Sequence, residues 1–424
     1  MLASGPPAAE PQQLRALESE RGESREARGA SNANPGDLPR DAPPSTEPLA
    51  SAEGGLNPAA DFYARLAACG RTFADAGVAA IYLTHGTFAG NDALGFVTEL
   101  ARYAPGLSDA LRRAGKGVVD AVAGELGNFT PEYAERLQRG LSAGAERTIP
   151  VRPFNWSSQN NHIGRADGAI ELLVELATFA EGLPTAAWAD PALPPRVQLW
   201  GHSHGGNMFA ILTNLLGADE TSRAEFFARG RTFYHGWLGG VDVPAWAEAE
   251  RVLAEPDHPL RRLALDIITF GTPVRYGWDT AGYAKLLHFI NHRPVEGLPE
   301  YLAKFPPKVA AVLAAADGDY VQQVGIAGTN LCVNPLTVRT YLANRRLGRM
   351  LQEGMPAEWL PARLNRGVRV PEEGTTLLVA YDDPGKLPHQ HLLGHGIYTR
   401  TRWLPWHCER VAAELYNDHT VKDK

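Results

Sequence analysis

Cysteine is scarce in this sequence: Cys69, Cys332 and Cys408 stand far apart in a chain of 424 residues. Their spacing supplies no disulfide framework and no Cys-x-x-Cys pair for structural zinc, so buried small apolar side chains are expected. Positive charge is not in surplus either. Lys and Arg number 41 against 48 Asp and Glu, the formal net charge is −7, and no basic stripe is present, so nucleic acid is not an expected partner. The longest apolar runs have strand length, which predicts no integral membrane segment. No basic stretch followed by an apolar one opens the sequence, so no secretory signal is read and the cytoplasm is the expected compartment. A Gly-x-x-x-x-Gly-Lys loop is also missing, and neither a nucleotide nor any other cofactor is expected.

What is there changes character along the chain. Residues 1–56 are rich in Ala, Pro, Ser, Glu and Arg and poor in large apolar residues. Such a segment buries too little surface to offset its ordering entropy, and a disordered N-terminal tail is expected. From Asn57 the pattern becomes globular, defining one domain over 57–424. "NPAADFYARLAACGRTFADAG" reads as a helix with Pro58 in the first turn and Gly77 as its stop. Strand-type runs follow in "VAAIYLT", "TIPVRPF", "PRVQLWG", "LALDIITF" and "TTLLVAY", with weaker candidates in "KLLHFIN" and "DYVQQVGIAG". Between them lie helical segments, from "DALGFVTELARYAP" through 107–144 to "RADGAIELLVELATFAEGL", with "WHCERVAAELY" closing the chain. Apolar strands alternating with amphipathic helices predict the α/β class: a mostly parallel sheet covered on both faces. Two segments interrupt the alternation, about 219–262 and 296–372, and helical cap or lid insertions are expected there. The first is dense in aromatic residues, "FFARGRTFYHGWLGGVDVPAW".

Ligands of open parallel sheets bind beyond the carboxyl ends of the strands. The reactive side chains of this sequence collect at those positions: His85-Gly86-Thr87-Phe88, Trp156-Ser157-Ser158, Gly201-His202-Ser203-His204-Gly205, Gly271-Thr272-Pro273 and Asp382-Asp383. In "VQLWGHSHGGNMFAILTNLL", residues 197–216, Ser203 stands in a Gly-x-Ser-x-Gly frame between a strand and a helix. The glycines let strand and helix approach while the serine occupies a strained turn, which makes Ser203 the candidate nucleophile. The His-x-His pairs His202/His204 and His389/His391 have chelating spacing, but no third ligand stands at a fixed distance, so no metal is expected.

With these motifs the chain resembles the α/β-hydrolase superfamily, especially its lipase-like members, from about Val78 to Tyr416. "IYLTHGTFAG" is similar to the lipase His-Gly loop. The resemblance implies that the main-chain N–H of Thr87 and that of His204 form the oxyanion hole, with Phe88 walling an acyl pocket. It implies a histidine base after the last strand. Of His389, His391, His395 and His407, the glycine-framed His395 in "GHG" is chosen, with His389 and His391 expected at the surface and His407 as a helix-packing alternative. The acid of the triad falls, in family order, after the strand "KLLHFIN", where Pro294 stands instead. Asp319 in "DGDYVQQVGIAG" is the first choice, and the Asp382/Asp383 pair and Asp279 remain open. In relatives a Trp-Ser segment followed by Arg is a scaffold beside the site; here Arg165 either anchors that loop or touches substrate. The implied activity is that of a serine hydrolase of carboxylic esters, lipase- or esterase-like, acting on a small-molecule or lipid ester. The same residues would serve a thioesterase, an acyltransferase or a phospholipase, or a silent binding protein with the same fold.

Overall fold

The computed structural model describes residues 45–48, 58–86, 127–145, 147–235, 243–299, 301–328, 330, 338–351, 359–381 and 391–417. Seven strands form one sheet: β1 (Ser45–Pro48), β2 (Val78–Thr84), β3 (Val151–Phe154), β4 (Arg196–His202), β5 (Ala264–Phe270), β6 (Lys285–Asn291) and β7 (Thr375–Ala380). Their order across the sheet is β1-β7-β6-β5-β4-β2-β3, and every pairing is parallel. The α/β class expected from the alternation is what the chain adopts. One edge was not anticipated: within the segment read as a disordered tail, Ser45–Pro48 pairs with β7, while the rest of 1–56 lies outside the described residues.

Both faces of the sheet are covered, which is why its strands read as near-continuous apolar runs. Neighbouring residues of β4 enter opposite cores: Leu199 packs on one face and Trp200 on the other, both fully buried. On the Trp200 face lie α1 (Pro58–Asp75), α2 (Pro131–Gly144) and the closing helix α11 (Leu404–Tyr416). On the Leu199 face lie α3 (His162–Glu181), α4 (His204–Gly217), α5 (Glu220–Tyr234), α6 (Pro244–Ala254) and α9 (Val338–Leu351). The helices of both interruptions thus contribute to the core. Phe226, Phe227, Phe233 and Tyr234 of α5 gather around Trp246 of α6, whose indole N–H donates to Asp167 on α3 at 2.7 Å. These aromatic residues of the expected cap are interior packing; 236–242 lie outside the described residues.

A second correction concerns "DYVQQVGIAG". It is a helix, α8 (Tyr320–Gly328), preceded by the short α7 (Val309–Leu313) and followed after α9 by α10 (Trp359–Asn365). Its apolar positions were few enough to fit either period, and tertiary contacts chose between them. Cys69 and Cys408 are free and buried in the core of the Trp200 face, and Cys332 is outside the described residues.

The chain runs from β2 outward to the edge strand β3, then returns past β2 to β4 and continues toward β5. The crevice between the carboxyl ends of β2 and β4 is therefore the topological switch point of the sheet. His85 and Gly86 follow β2 there, and Ser203 follows β4.

Candidate active site

Ser203 joins β4 to α4 with φ 54° and ψ −129°, a left-handed conformation that a side chain rarely adopts. Such a backbone costs about 1–3 kcal/mol and persists only where its surroundings fix it. Its N–H donates to the Phe270 carbonyl at the end of β5 (2.9 Å), and its carbonyl accepts from the Thr272 hydroxyl (2.8 Å) and the Gly206 N–H (3.1 Å). The glycines have separate reasons. A Cβ on Gly201 would lie 2.6 Å from the Phe209 ring, one on Gly205 2.8 Å from the His85 carbonyl oxygen, and one on Gly206 2.1 Å from the Thr272 hydroxyl. A Cβ on Gly86 would lie 2.8 Å from the Cβ of Ser203 itself, so the β2 turn presses against the serine. The Ser203 side chain does not cap α4. The first amides of that helix, His204 N–H foremost, have no intrahelical acceptor and carry the positive end of its dipole.

His395 follows a single turn of 3-10 helix, Leu392–Gly394. Its Nδ1 is 2.7 Å from Asp319 Oδ2, and its Nε2 is buried with no hydrogen-bond partner among the described residues. His202, one residue before Ser203, donates from Nε2 to the His395 carbonyl oxygen at 3.0 Å, and the two rings lie with centroids 4.5 Å apart. Burial, with the His395 charge adding to it, pushes the His202 imidazole down to about 3, so it is neutral at pH 7. Burial and the charges of Arg165 and Arg275 likewise hold the His204 ring well below the usual range.

Asp319 is fully buried, and three donors converge on its carboxylate. Oδ2 accepts from His395 and from the Tyr398 hydroxyl (2.8 Å), and Oδ1 accepts from the Gln322 N–H (2.8 Å) at the start of α8. One carboxylate therefore caps a helix and holds an imidazole. Burial alone pushes its carboxyl up, but the His395 charge and these hydrogen bonds together hold it below the ordinary aspartate value. The Asp319 N–H donates to the carbonyl of Asn291, the last residue of β6, after a Gly318 turn at φ +103°. The segment that displaces the acid in sequence thus returns it to the end of the strand. Arg369, fully buried, holds this return by donating to the Asp317 carbonyl (2.7 Å) and to Gln323 Oε1 (3.0 Å).

Of the residues singled out in the sequence, Asp319 and His395 are in direct contact, and His204 stands at the first helical position after Ser203. Thr87, Phe88, His389, Asp382 and Asp383 lie outside the described residues. Asp279 is excluded by position: a Cβ on Gly217 would lie 2.4 Å from its carboxyl carbon, at the far end of the 14-residue α4 from Ser203, about 20 Å away. His391, expected at the surface, is buried, and its Nδ1 accepts from the Gly394 N–H. His407 is a buried packing histidine, Nε2 to Tyr381 hydroxyl 2.6 Å. Arg165 donates to the side chains of Asn160 (3.1 Å) and Tyr276 (2.8 Å) rather than to carbonyl groups of the main chain. Tyr398, Arg369 and the supporting role of His202 were not read from the sequence, because their partners are distant along the chain.

The fold and site define an α/β protein with a serine turn, a helix N-terminus and a buried carboxylate–histidine pair at the carboxyl ends of the sheet's strands. Comparison with protein-family models, with curated proteins and with solved structures finds no match for this chain.

Proposed function

We propose that this chain is a serine hydrolase of carboxylic esters built on an α/β-hydrolase fold. The observation that carries the reading is the pairing of His395 Nδ1 with buried Asp319, which leaves Nε2 unpartnered among the described residues, beside a strand end where Ser203 is held in a strained turn. Asp319 fixes the tautomer with the proton on Nδ1, so Nε2 is the basic nitrogen. Ser203 Oγ attacks the acyl carbonyl as Nε2 takes its proton. The carbonyl oxygen gathers negative charge beside the His204 N–H at the α4 terminus, and the resemblance adds the Thr87 N–H as second donor. Nε2 then returns the proton to the leaving alcohol, and water releases the acyl group by the same steps reversed.

The His-Gly turn packed on Ser203 supports the same reading, and the strand order places that turn at the switch point of an α/β sheet, although an α/β-hydrolase sheet usually carries one antiparallel strand and every pairing here is parallel. Fluorophosphonate is expected to label the protein covalently, and Ser203→Ala to lose both labelling and ester hydrolysis, by roughly 10⁴-fold or more. Equal labelling of the alanine variant would remove Ser203 from the mechanism.

A further inference from the structure

Arginines are rarely fully buried unless a carboxylate or phosphate pairs with them, because an isolated charge in the interior is costly. Arg165, in the first turn of α3, is fully buried, and Arg275, in the loop after β5, is buried as well. Arg165 spends two of its nitrogens on neutral oxygens, Nε on the Tyr276 hydroxyl and Nη1 on Asn160, and its Nη2 is buried with no partner among the described residues. Arg275, the residue before Tyr276, has both Nε and Nη1 buried with no partner among the described residues. Among the described residues the charge acting on Arg275 is the like charge of Arg165, with the Tyr276 phenol as its other electrostatic neighbour and no carboxylate. Burial, then that like charge, pushes the Arg275 guanidinium down to about 10, so it is still a cation at pH 7.

Arg275 comes from one loop that touches the Ser203 turn, and Arg165 from the helix that follows another. Arg275 is three residues beyond Thr272, whose hydroxyl holds the Ser203 carbonyl. Arg165 is tied through Asn160 to the loop whose Ser158, at φ 65°, donates to the Gly86 carbonyl, and Gly86 lies against Ser203. The neighbouring histidines, His162 and His204, are both kept neutral by burial and by these two guanidiniums, so the local positive charge is that of Arg165 and Arg275. Among the described residues, three buried N–H-bearing nitrogens thus lack an acceptor and the two cations have no counter-ion, close enough to His204, the neighbour of Ser203, to act on its ring.

We propose that Arg165 and Arg275 bind an anionic group, a carboxylate or a phosphate monoester, carried by the ester on which Ser203 acts. The substrate class rests on the hydrolase reading; the anion site itself does not. The anion supplies the missing acceptors and counter-charge, and charge-assisted bonds to buried guanidiniums favour charged esters over neutral ones of the same shape.

Two measurements test this. Thermal unfolding of Ser203→Ala protein reads binding without turnover: inorganic phosphate or succinate is expected to raise Tm by at least about 2 °C over chloride of equal ionic strength. Adding Arg275→Gln should remove the shift, and Arg275→Lys should keep part of it. Kinetics on the wild-type chain then compare monoethyl adipate with ethyl hexanoate, and dibutyryl phosphatidate with dibutyrylglycerol. One charged member is expected to exceed its neutral partner in kcat/KM by about tenfold or more, mainly through KM, and Arg165→Gln or Arg275→Gln to bring the ratio toward one. Preference in the first pair places a carboxylate on the acyl side; preference in the second places a phosphate on the alcohol side. If neither anion shifts Tm while neutral esters are cleaved, the anion site is overturned and the hydrolase stands. If the shift is present and no ester is cleaved, the hydrolase reading fails and the anion site stands. A charge preference that survives both glutamine variants also overturns the assignment.

Discussion

His202 Nε2 donates to the main-chain carbonyl of His395 at 3.0 Å, tying the residue before Ser203 to the loop that carries the Asp319-paired imidazole. The two stretches are far apart in the chain, and this bond sets the height of the His395 ring above the end of β4. Removing it in His202→Ala leaves a buried carbonyl unsatisfied and a gap beside the ring, together costing about 1–3 kcal/mol. Ester kcat/KM is expected to fall roughly ten- to a hundredfold, and the rate of fluorophosphonate labelling to fall with it. Wild-type labelling rates in a folded His202→Ala protein would show that the bond is structural alone.

Asp319 does two things with its two oxygens, and substitutions separate them. Asp319→Asn keeps an acceptor for the Gln322 N–H but presents an amide N–H to His395, which favours the wrong tautomer. A loss of about 10³–10⁴-fold in kcat is expected, with a smaller loss of stability. Tyr398→Phe leaves the charge on Asp319 but strips one of its donors and the acceptor of the Asn291 N–H. About tenfold in kcat and about 1–3 kcal/mol in urea unfolding are expected.

Gly86→Ala tests the packing of the β2 turn on the nucleophile. Its Cβ would lie 2.8 Å from Ser203 Cβ and 3.0 Å from His202 Nδ1. Both neighbours are fixed by backbone bonds, so relief must come from displacing the serine. Activity is expected to fall by about a hundredfold or more, because positional errors near one ångström have that effect. The melting temperature should move by only a few degrees.

Acid should unfold the protein well above the usual carboxylate range. Burial pushes His162 down to about 2 and His202, His288 and His407 to about 3, and His204 is also held low. The unfolded chain binds protons at these sites near 6.5 while the folded chain does not. The stability from their neutral burial is therefore complete above pH 6.5 and is lost as pH falls toward 3, each site contributing up to about 1.4 kcal/mol per pH unit. Glu372 and Glu373, raised mainly by burial, act in the opposite direction just above pH 4.5, but they are two against five. Urea midpoints at pH 7.5, 6 and 5 should fall steadily, and His288→Gln should lessen the slope by about one proton.

At the opposite end of the sheet, Arg196 grips Asp266 through two bonds of 2.7 Å, and the Tyr416 hydroxyl donates to the same carboxylate. Asp266→Ala leaves Arg196 without its partner and is expected to cost about 3–5 kcal/mol. The kcat of the folded fraction should be unchanged, since the network lies at the amino ends of β4 and β5, away from Ser203.

The strands β2 through β7 and the helices α1, α3, α4 and α11 were legible because each buries a continuous or periodic apolar surface. The Gly201–Gly206 turn was legible because backbone approach and a left-handed serine leave a local mark in composition. Elsewhere local signals gave way to tertiary ones. Ser45–Pro48 has no apolar pattern to announce a strand, and only the exposed edge of β7 gives it a partner. "DYVQQVGIAG" settles as a helix because Asp319 caps its first turn while tied to β6.

By itself the sequence determined an α/β chain with a serine turn at a strand end, since periodicity and glycine placement are properties of neighbouring residues. Which carboxylate meets which histidine was decided only in three dimensions. Asp319 and His395 lie far apart along the chain, and the Asn291 carbonyl, Arg369 and His202 bring them together. The same holds for Arg165 and Arg275. Nothing local in either stretch shows that two cations share a buried corner without a counter-ion among the described residues, because charge pairing in the interior is a property of the folded chain.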